Sequence, residues 1–301
     1  MSAPYAQYGG SNLDLTVVIP TRNRPEQVKQ RIEEFKDFDC EMIVVDDNSQ
    51  QSVTIDGAYV VRNPKRLGSS ESRNVGSKYA TRDWLLLVDD DLIPGPEFRS
   101  FIDELLPRLR LTDVVGFRIT GYGTVGASKV SLYQDKLTSR IMNILFGVDI
   151  SRRTGPSRFV PAAMIIRSDF FSLLGGFDPR TYGGNGFREE SDLQWRARKK
   201  GGRLTYIHDP FFLHANVPGG HDKWRHSEDE VYYMRNQTIF ALRSGSPTAL
   251  VMIAAFGAYL LVRGFRMSTL VKGVALGIGE ILQGRRPFES LDGSRSSDLE
   301  S

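Results

Sequence analysis

Short apolar runs alternate with segments of helical period through the first half of this 301-residue chain, and that alternation constrains the fold more than any other feature. LTVVIP at 15–20 is an apolar, β-branched run closed by Pro20, which predicts a buried strand. After the turn TRNRP, Pro25 suits the first position of a helix, and Val28, Ile32 and Phe35 recur at helical spacing. Further strands are expected at 42–47 (MIVVDD), 58–62 (AYVVR) and 84–89 (WLLLVD), with a helix from Ser69 or Ser70 before the last of them. Strands so continuously apolar, separated by helices, imply a mainly parallel sheet covered on both faces. Beyond them, 98–109 and a short stretch near 135–147 read as helices, and 113–119, 159–166 (FVPAAMII) and 203–208 (RLTYIH) as strands. TYGGNGFR at 181–188 is a glycine-rich loop.

Composition narrows the function. Hydrophobic residues at 40% and charged residues at 25% exclude fibrous and disordered chains. The single cysteine, Cys40, excludes an internal disulfide framework and a thiolate zinc site, and fits a reducing, cytoplasmic compartment. Residues 243–286 hold six basic side chains and one acid, a charge of +5, which leaves −2 for the rest of a chain whose total is +3. A nucleic-acid partner is therefore not expected, because the folded body lacks a concentrated basic face. The opening MSAPYAQYGGSN has neither the charged nor the apolar region of a secretory signal.

In open α/β sheets ligands bind beyond the carboxyl ends of the strands. Polar groups gather there: Thr21, Arg22 and Asn23, then Asp46 and Asp47, then Asp89, Asp90 and Asp91. Residues i and i+2 of an extended chain point to one side, so Asp89 and Asp91 can share a ligand, and a hard cation such as Mg²⁺ or Mn²⁺ that also grips phosphate is the natural one. A polar turn whose aspartates cap the next helix is the alternative. The chain has no phosphate loop of the Gly-x-x-x-x-Gly-Lys type and no Gly-x-Gly-x-x-Gly after its first strand, which disfavours P-loop kinases, ATPases and dinucleotide enzymes. Asp47 could instead accept from a base N–H, and Arg73 could meet a phosphate or a base carbonyl, as a nucleoside diphosphate with a group attached requires.

The blocks TVVIPTRNRP, IVVDDNS, GSSESRNVG, WLLLVDDDLIPGP, GGFDP and EESDLQWRARKKG, in this order over about residues 14 to 243, resemble the inverting family 2 glycosyltransferases. The resemblance implies a GT-A, Rossmann-like α/β fold. It implies that Asp89 and Asp91 hold the metal on a sugar-nucleotide diphosphate, that Asp47 contacts the base, and that Pro20, Thr21, Arg22 and Asn23 line the nucleoside pocket, with Arg73 and Asp90 on the same donor. Glu190 stands at the family's catalytic base, where Asp is more usual, and the extra methylene moves the carboxylate by about 1.5 Å. An inverting transfer needs such a base on the face opposite the leaving diphosphate. Otherwise Glu189, Glu190 and Asp192 simply favour a helix N-terminus, with Asp192 pairing to Arg196. The resemblance also offers His214 as a further metal ligand. His208 reads as a packed residue, His221, Lys223, Arg225 and His226 as a polar loop that could close over a diphosphate, and Trp195 as either core or an acceptor-stacking platform.

Ala249 to Val262 is fourteen residues without a charge, too short for a span of about 20, and basic residues flank it. It suits a helix lying at the inner face of the cell membrane, peripheral contact extending over 249–286, or else a helix packed on the domain or on a second copy in a homo-oligomer. The expected organisation is a flexible start (1–13), a glycosyltransferase domain (14–243, donor half 14–119 and acceptor half 120–243), a C-terminal helical extension (244–286) and a flexible tail (287–301). The expected reaction moves a sugar from a nucleotide diphosphosugar, UDP by default, to a glycan or lipid-linked hydroxyl with Mn²⁺ or Mg²⁺. The competing functions are a sugar-1-phosphate nucleotidyltransferase, which would carry a Gly-rich loop and lysine after the first strand, and a silent nucleotide-sugar-binding module.

Overall fold

The computed structural model describes residues 13–121, 153–182, 186–215, 226–245, 247–262 and 264–283. The helix expected near 135–147, the stretch His221 to Arg225 and the terminal segments lie outside them. Among the described residues nine strands form one sheet: β1 (Leu15–Thr21), β2 (Glu41–Asp46), β3 (Tyr59–Arg62), β4 (Trp84–Leu87), β5 (Leu92–Pro94), β6 (Asp113–Gly121), β7 (Gly155–Pro156), β8 (Met164–Arg167) and β9 (Arg203–His214). Their order is β3-β2-β1-β4-β8-β6-β9-β5, with β7 pairing β9. The α/β GT-A class expected from the sequence is the fold of the chain.

Two details of the sheet differ from expectation. The pairings among β3, β2, β1 and β4, and that of β6 with β9, are parallel, but β8 runs antiparallel to both β4 and β6, and β5 and β7 run antiparallel to β9. A strand buried on both faces is apolar whichever way it runs, so its composition does not encode direction. The strand expected from 159 starts only at Met164. Pro161 has no N–H for a ladder, and the side-chain amide of Gln194 takes both backbone groups of Val160, donating to its oxygen and accepting from its nitrogen at 2.8 Å each.

Eight α-helices are described: α1 (Pro25–Phe35), α2 (Ser69–Ser77), α3 (Phe98–Leu105), α4 (Ser168–Leu173), α5 (Glu189–Lys199), α6 (His226–Arg243), α7 (Ala249–Val262) and α8 (Met267–Leu282). Alternation along β1 divides the core: Val17 and Ile19 join Val28, Ile32 and Phe35 of α1 on one face, while Val18 joins Phe170, Phe171 and Leu193 from α4 and α5 on the other. The α2 helix also packs on that second face, and Gly76 lets it approach closely. A Cβ there would stand 2.5 Å from Val18 Cγ1 and 3.0 Å from Val45 Cγ2.

The last three helices pack on one another and on the sheet domain, where Phe159 and Tyr182 meet Phe240 and Met252. On α8, Gly273 and Gly277 bring its backbone against α6, where a Cβ would meet the Val231 and Arg235 carbonyl oxygens at 2.8 and 2.9 Å, and Arg235 donates to Glu280 at 2.7 Å. Met252, Phe256 and Leu260 of α7 recur every four residues and are buried, whereas Leu250, Val251, Leu261 and Val262 remain exposed. No described helix is long and apolar enough to cross a membrane.

Candidate active site

Parallel pairing carries the C-terminal ends of β1, β2 and β4 to one edge of the sheet, and the strand order reverses on passing from β1 to β4. That is the topological switch point at which α/β sheets bind ligands. A cavity of about 290 Å³ opens there. Its walls include Pro20 and Thr21 at the end of β1 and Arg22 after it, Asp47 after β2, Gly68, Ser69 and Arg73 of the α2 region, Asp89, Asp90 and Asp91 after β4, Glu189 and Glu190 of α5, and His214 at the end of β9.

The three aspartates after β4 each have a definite partner. Thr21 Oγ1 donates to Asp90 Oδ2 at 2.7 Å, and Arg24 Nη1 donates to Asp90 Oδ1 at 2.9 Å and to Asp91 Oδ2 at 3.0 Å. The buried Asp90 and Asp91 thus share one cation. Burial raises the Asp90 pKa, opposed by the Thr21 hydrogen bond and the charge of Arg24. Asp91 is fixed further by Ala215 N donating to its carbonyl at 2.8 Å, and the antiparallel pair of Leu92 with His214 places His214 Nε2 3.8 Å from Asp91 Oδ1. The sheet therefore joins residues 123 positions apart in sequence, as the numbers of His214 and Asp91 show.

Arg73, buried on α2, links the two carboxylate groups. Its Nη2 donates to Asp89 Oδ1 at 2.5 Å, and its Nη1 lies 3.8 Å from Glu190 Oε1. Ser69 Oγ is 3.4 Å from the same Asp89 oxygen. The Glu190 side chain stays 32% exposed to the cavity. Its pKa is raised chiefly by burial, with Asp89 pushing the same way and Arg73 opposing. Glu189, behind it, is buried and its carboxyl is pushed well above the ordinary range by burial first and Glu190 second.

Helix α5 enters the site through Arg188, a non-glycine residue at φ +79°. Its guanidinium lies 4.7 Å from the Phe187 ring and 5.3 Å from the Phe240 ring, donates to Gln237 at 2.7 Å, and is driven by burial down to a pKa of about 9. One turn on, Asp192 pairs with Arg196 at 2.7 Å, as its spacing predicts, and also accepts from Tyr182 at 3.1 Å.

Two residues stand differently from their expected parts. Asn23 is exposed and does not line the cavity; its Oδ1 accepts from Gln50 N at 2.8 Å and its N–H donates to Ser49 Oγ at 2.9 Å, so it orders the loop after β1. Asp47 faces the cavity, but it already accepts from Asn63 at 2.9 Å, Leu67 N at 2.7 Å and Gly68 N at 2.9 Å. A carboxylate has about four acceptor positions, so about one remains for a base. Arg24 has no part in the sequence reading, and Ser69 and Glu189 have only that of helix starts. Three adjacent aspartates demand nearby cations, and that demand is the signal that could have drawn attention to Arg24.

Asp89, Asp91 and His214, the expected metal ligands, would offer hard oxygens and one imidazole, donor types that suit Mn²⁺ or Mg²⁺. Among the described residues no three such side chains stand close enough to hold an ion as placed. Asp89 is turned to Arg73 and Asp91 Oδ2 to Arg24, while Asp91 Oδ1 faces His214.

The model of the family "Glycosyl transferase family 2" matches residues 16–170. The "Pre-mycofactocin glycosyltransferase" of Mycobacterium tuberculosis is 27% identical over 324 residues, covering 99% of this chain and 62% of the relative. An "Uncharacterized glycosyltransferase" of Haemophilus influenzae is 36% identical over 91 residues, 28% of this chain and 31% of that one. Among solved structures, Staphylococcus aureus TarS 1–349 in complex with UDP-GlcNAc has a TM-score of 0.53 at 18% identity, over 76% of this chain and 65% of that one, a likeness of fold. The chain spans 62% of the length of its mycobacterial relatives.

Proposed function

The chain belongs to glycosyl transferase family 2, and from that premise we propose that the cavity binds a UDP-sugar and passes its glycosyl group to an acceptor hydroxyl with inversion. The convergence of Glu190, Arg73 and the Asp89–Asp91 block on one cavity carries this reading. Glu190 takes the acceptor proton, the acceptor oxygen bonds to the anomeric carbon, and the bond from that carbon to the diphosphate breaks with its electrons on the leaving oxygen. Its raised pKa makes Glu190 a stronger base than an exposed carboxylate. Arg73 and the N-terminus of α2 face the diphosphate with positive charge. A divalent ion held by Asp89, Asp91 and His214 would supply further neutralisation of the leaving diphosphate. Pro20, Thr21 and Arg22 wall the nucleoside, and the remaining acceptor position of Asp47 serves its base.

The acceptor is a glycan or lipid-linked hydroxyl, and pre-mycofactocin, for which the mycobacterial relatives are named, is the first one to test. A nucleotidyltransferase fits less well, because Thr21-Arg22-Asn23-Arg24 stands where its Gly-rich triphosphate loop would be. The test is UDP release from UDP-sugars with Mn²⁺. Glu190→Gln should lower turnover by about 10²- to 10⁴-fold, the usual contribution of a positioned base, while UDP still raises the melting temperature. Wild-type turnover in that variant would remove Glu190 from the role. Nucleotide binding with no release from any UDP-, GDP- or dTDP-sugar would favour the silent module.

A further inference from the structure

Glu190 lies in the first turn of α5 between two residues that are both fastened to α6, a helix none of whose described residues lines the cavity. Two positions before it, the guanidinium of Arg188 sits in a cage of three rings, 4.7 Å from Phe187, 5.3 Å from Phe240 of α6 and 5.9 Å from Phe256 of α7. Its Nε donates to Gln237 Oε1 of α6 at 2.7 Å, and the fully buried Gln237 in turn donates to the Met252 carbonyl of α7 at 3.3 Å. Two positions after Glu190, the carboxylate of Asp192 lies 3.6 Å from Arg243 in the last turn of α6. Asp192 N donates to the Arg188 carbonyl at 2.9 Å, so the turn that carries Glu190 is closed between the two fastenings.

Arg188 is an expensive way to start a helix. A residue with a Cβ is strained at φ +79°, and a guanidinium at 3% exposure among rings has lost nearly all its water. An apolar side chain of similar length would fill the cage without the second cost. Strained residues persist where their surroundings over-determine them, and they cluster at functional sites. What the guanidinium supplies and an apolar chain would not is direction. Its fork ties the entry of α5 to Gln237 through Nε and to Ser191 Oγ, the neighbour of Glu190 in the chain, through Nη1 at 3.3 Å. Its charge also bears on Glu190 from the side of the C-terminal helices, while Arg73 bears on it from α2.

We propose that Arg188 is a positioning residue for Glu190, and that α6 and α7, by gripping Arg188, are part of the catalytic apparatus. The proposal rests on Glu190 being the base. Displacing a reacting group by about 1 Å costs about a hundredfold in rate, so Arg188→Met should lower kcat for UDP release by about 10²-fold while KM for the UDP-sugar stays within about twofold. UDP should still raise the melting temperature of that variant. Gln237→Leu leaves the cation and the rings in place and should cost about tenfold in kcat, the worth of one hydrogen bond to a charged group. Because Gln237 acts through Arg188, the double variant should be no slower than Arg188→Met alone. Arg188→Lys, which returns a cation to the rings, should recover about tenfold of the loss.

Wild-type kcat in Arg188→Met beside an inactive Glu190→Gln would overturn the proposal and leave the base in place. So would losses that multiply in the double variant, or a fall in kcat/KM carried by KM. Full activity in Glu190→Gln would instead remove the base, and with it the group that Arg188 is to position. Urea denaturation separates folding from positioning. If Arg188→Met does not fold, Gln237→Leu alone decides, and wild-type kcat there would overturn the proposal.

Discussion

Arg73→Gln removes the cation that lies beside Glu190, with Arg188 left as a weaker second one. The variant removes the charge 3.8 Å from Glu190 Oε1 and keeps an amide that can still donate to Asp89. At that separation Coulomb attraction is about 4 kcal/mol at an effective dielectric constant of about 20 and about 1 kcal/mol in water. Glu190 keeps a third of its side chain exposed, so the lower part of this range applies, about 1 to 2 kcal/mol, or about one pKa unit. Arg73 lowers the pKa of Glu190, so its loss raises it, and Asp89, no longer neutralised, pushes the same way. A base must be ionised to act, so the acid limb of the pH profile of kcat/KM should move up by about one pH unit. Turnover should be lost about tenfold further at pH values below the limb than above it, on top of a pH-independent loss from the missing diphosphate contact. The assay is UDP release across pH 5 to 9 with saturating Mn²⁺. An acid limb that stays in place, or moves down, refutes the coupling of Arg73 to Glu190.

Glu189 gives a prediction on stability. Its folded-state pKa lies well above the ordinary value of 4.5, so the stability linked to its protonation is full below that value and is lost as pH rises through the folded pKa. Glu189→Gln escapes that loss, and its melting temperature should exceed that of the wild type by a margin that widens from pH 5 to pH 8; a constant margin would contradict the burial of an ionisable Glu189. Arg24→Met leaves Asp90 and Asp91 without their shared cation, and urea denaturation should register a loss of about 3 to 5 kcal/mol, as for other broken buried pairs. A loss under about 1 kcal/mol would mean that Thr21 and solvent already satisfy the two carboxylates.

What could be read from sequence was what local pattern encodes. Strands β1, β2, β3 and β4 and helices α1 and α2 stand close to their expected limits, because apolar runs and helical spacing are set by a residue's near neighbours. The positions of Thr21, Asp47 and Asp89–Asp91 followed from the rule for strand ends. Pairing between distant segments was not legible. The direction of β8, the capture of Val160 by Gln194 and the contact of His214 with Asp91 depend on partners 34 to 123 residues away. The arginines were hidden for a related reason: Arg24 looks like a polar turn residue until the sheet brings Asp90 and Asp91 to it. The apolar stretch Ala249–Val262 was visible as a run, but only packing reveals that one face of it is spent on the domain and the other is not.

Gly76 bears on how variants of this chain are to be interpreted. It lies one turn beyond Arg73 on α2 and touches no part of the cavity, yet its missing side chain is what lets that helix rest on Val18 and Val45. Any larger residue must lift or tilt α2, and the guanidinium that spans Asp89 and Glu190 moves with it. In a substitution library scored by turnover, position 76 would be as intolerant as position 190, although it lies inside the hydrophobic layer. An active site outlined from such scores alone would extend into the scaffold, and comparing protein abundance with turnover at each position would draw its true edge.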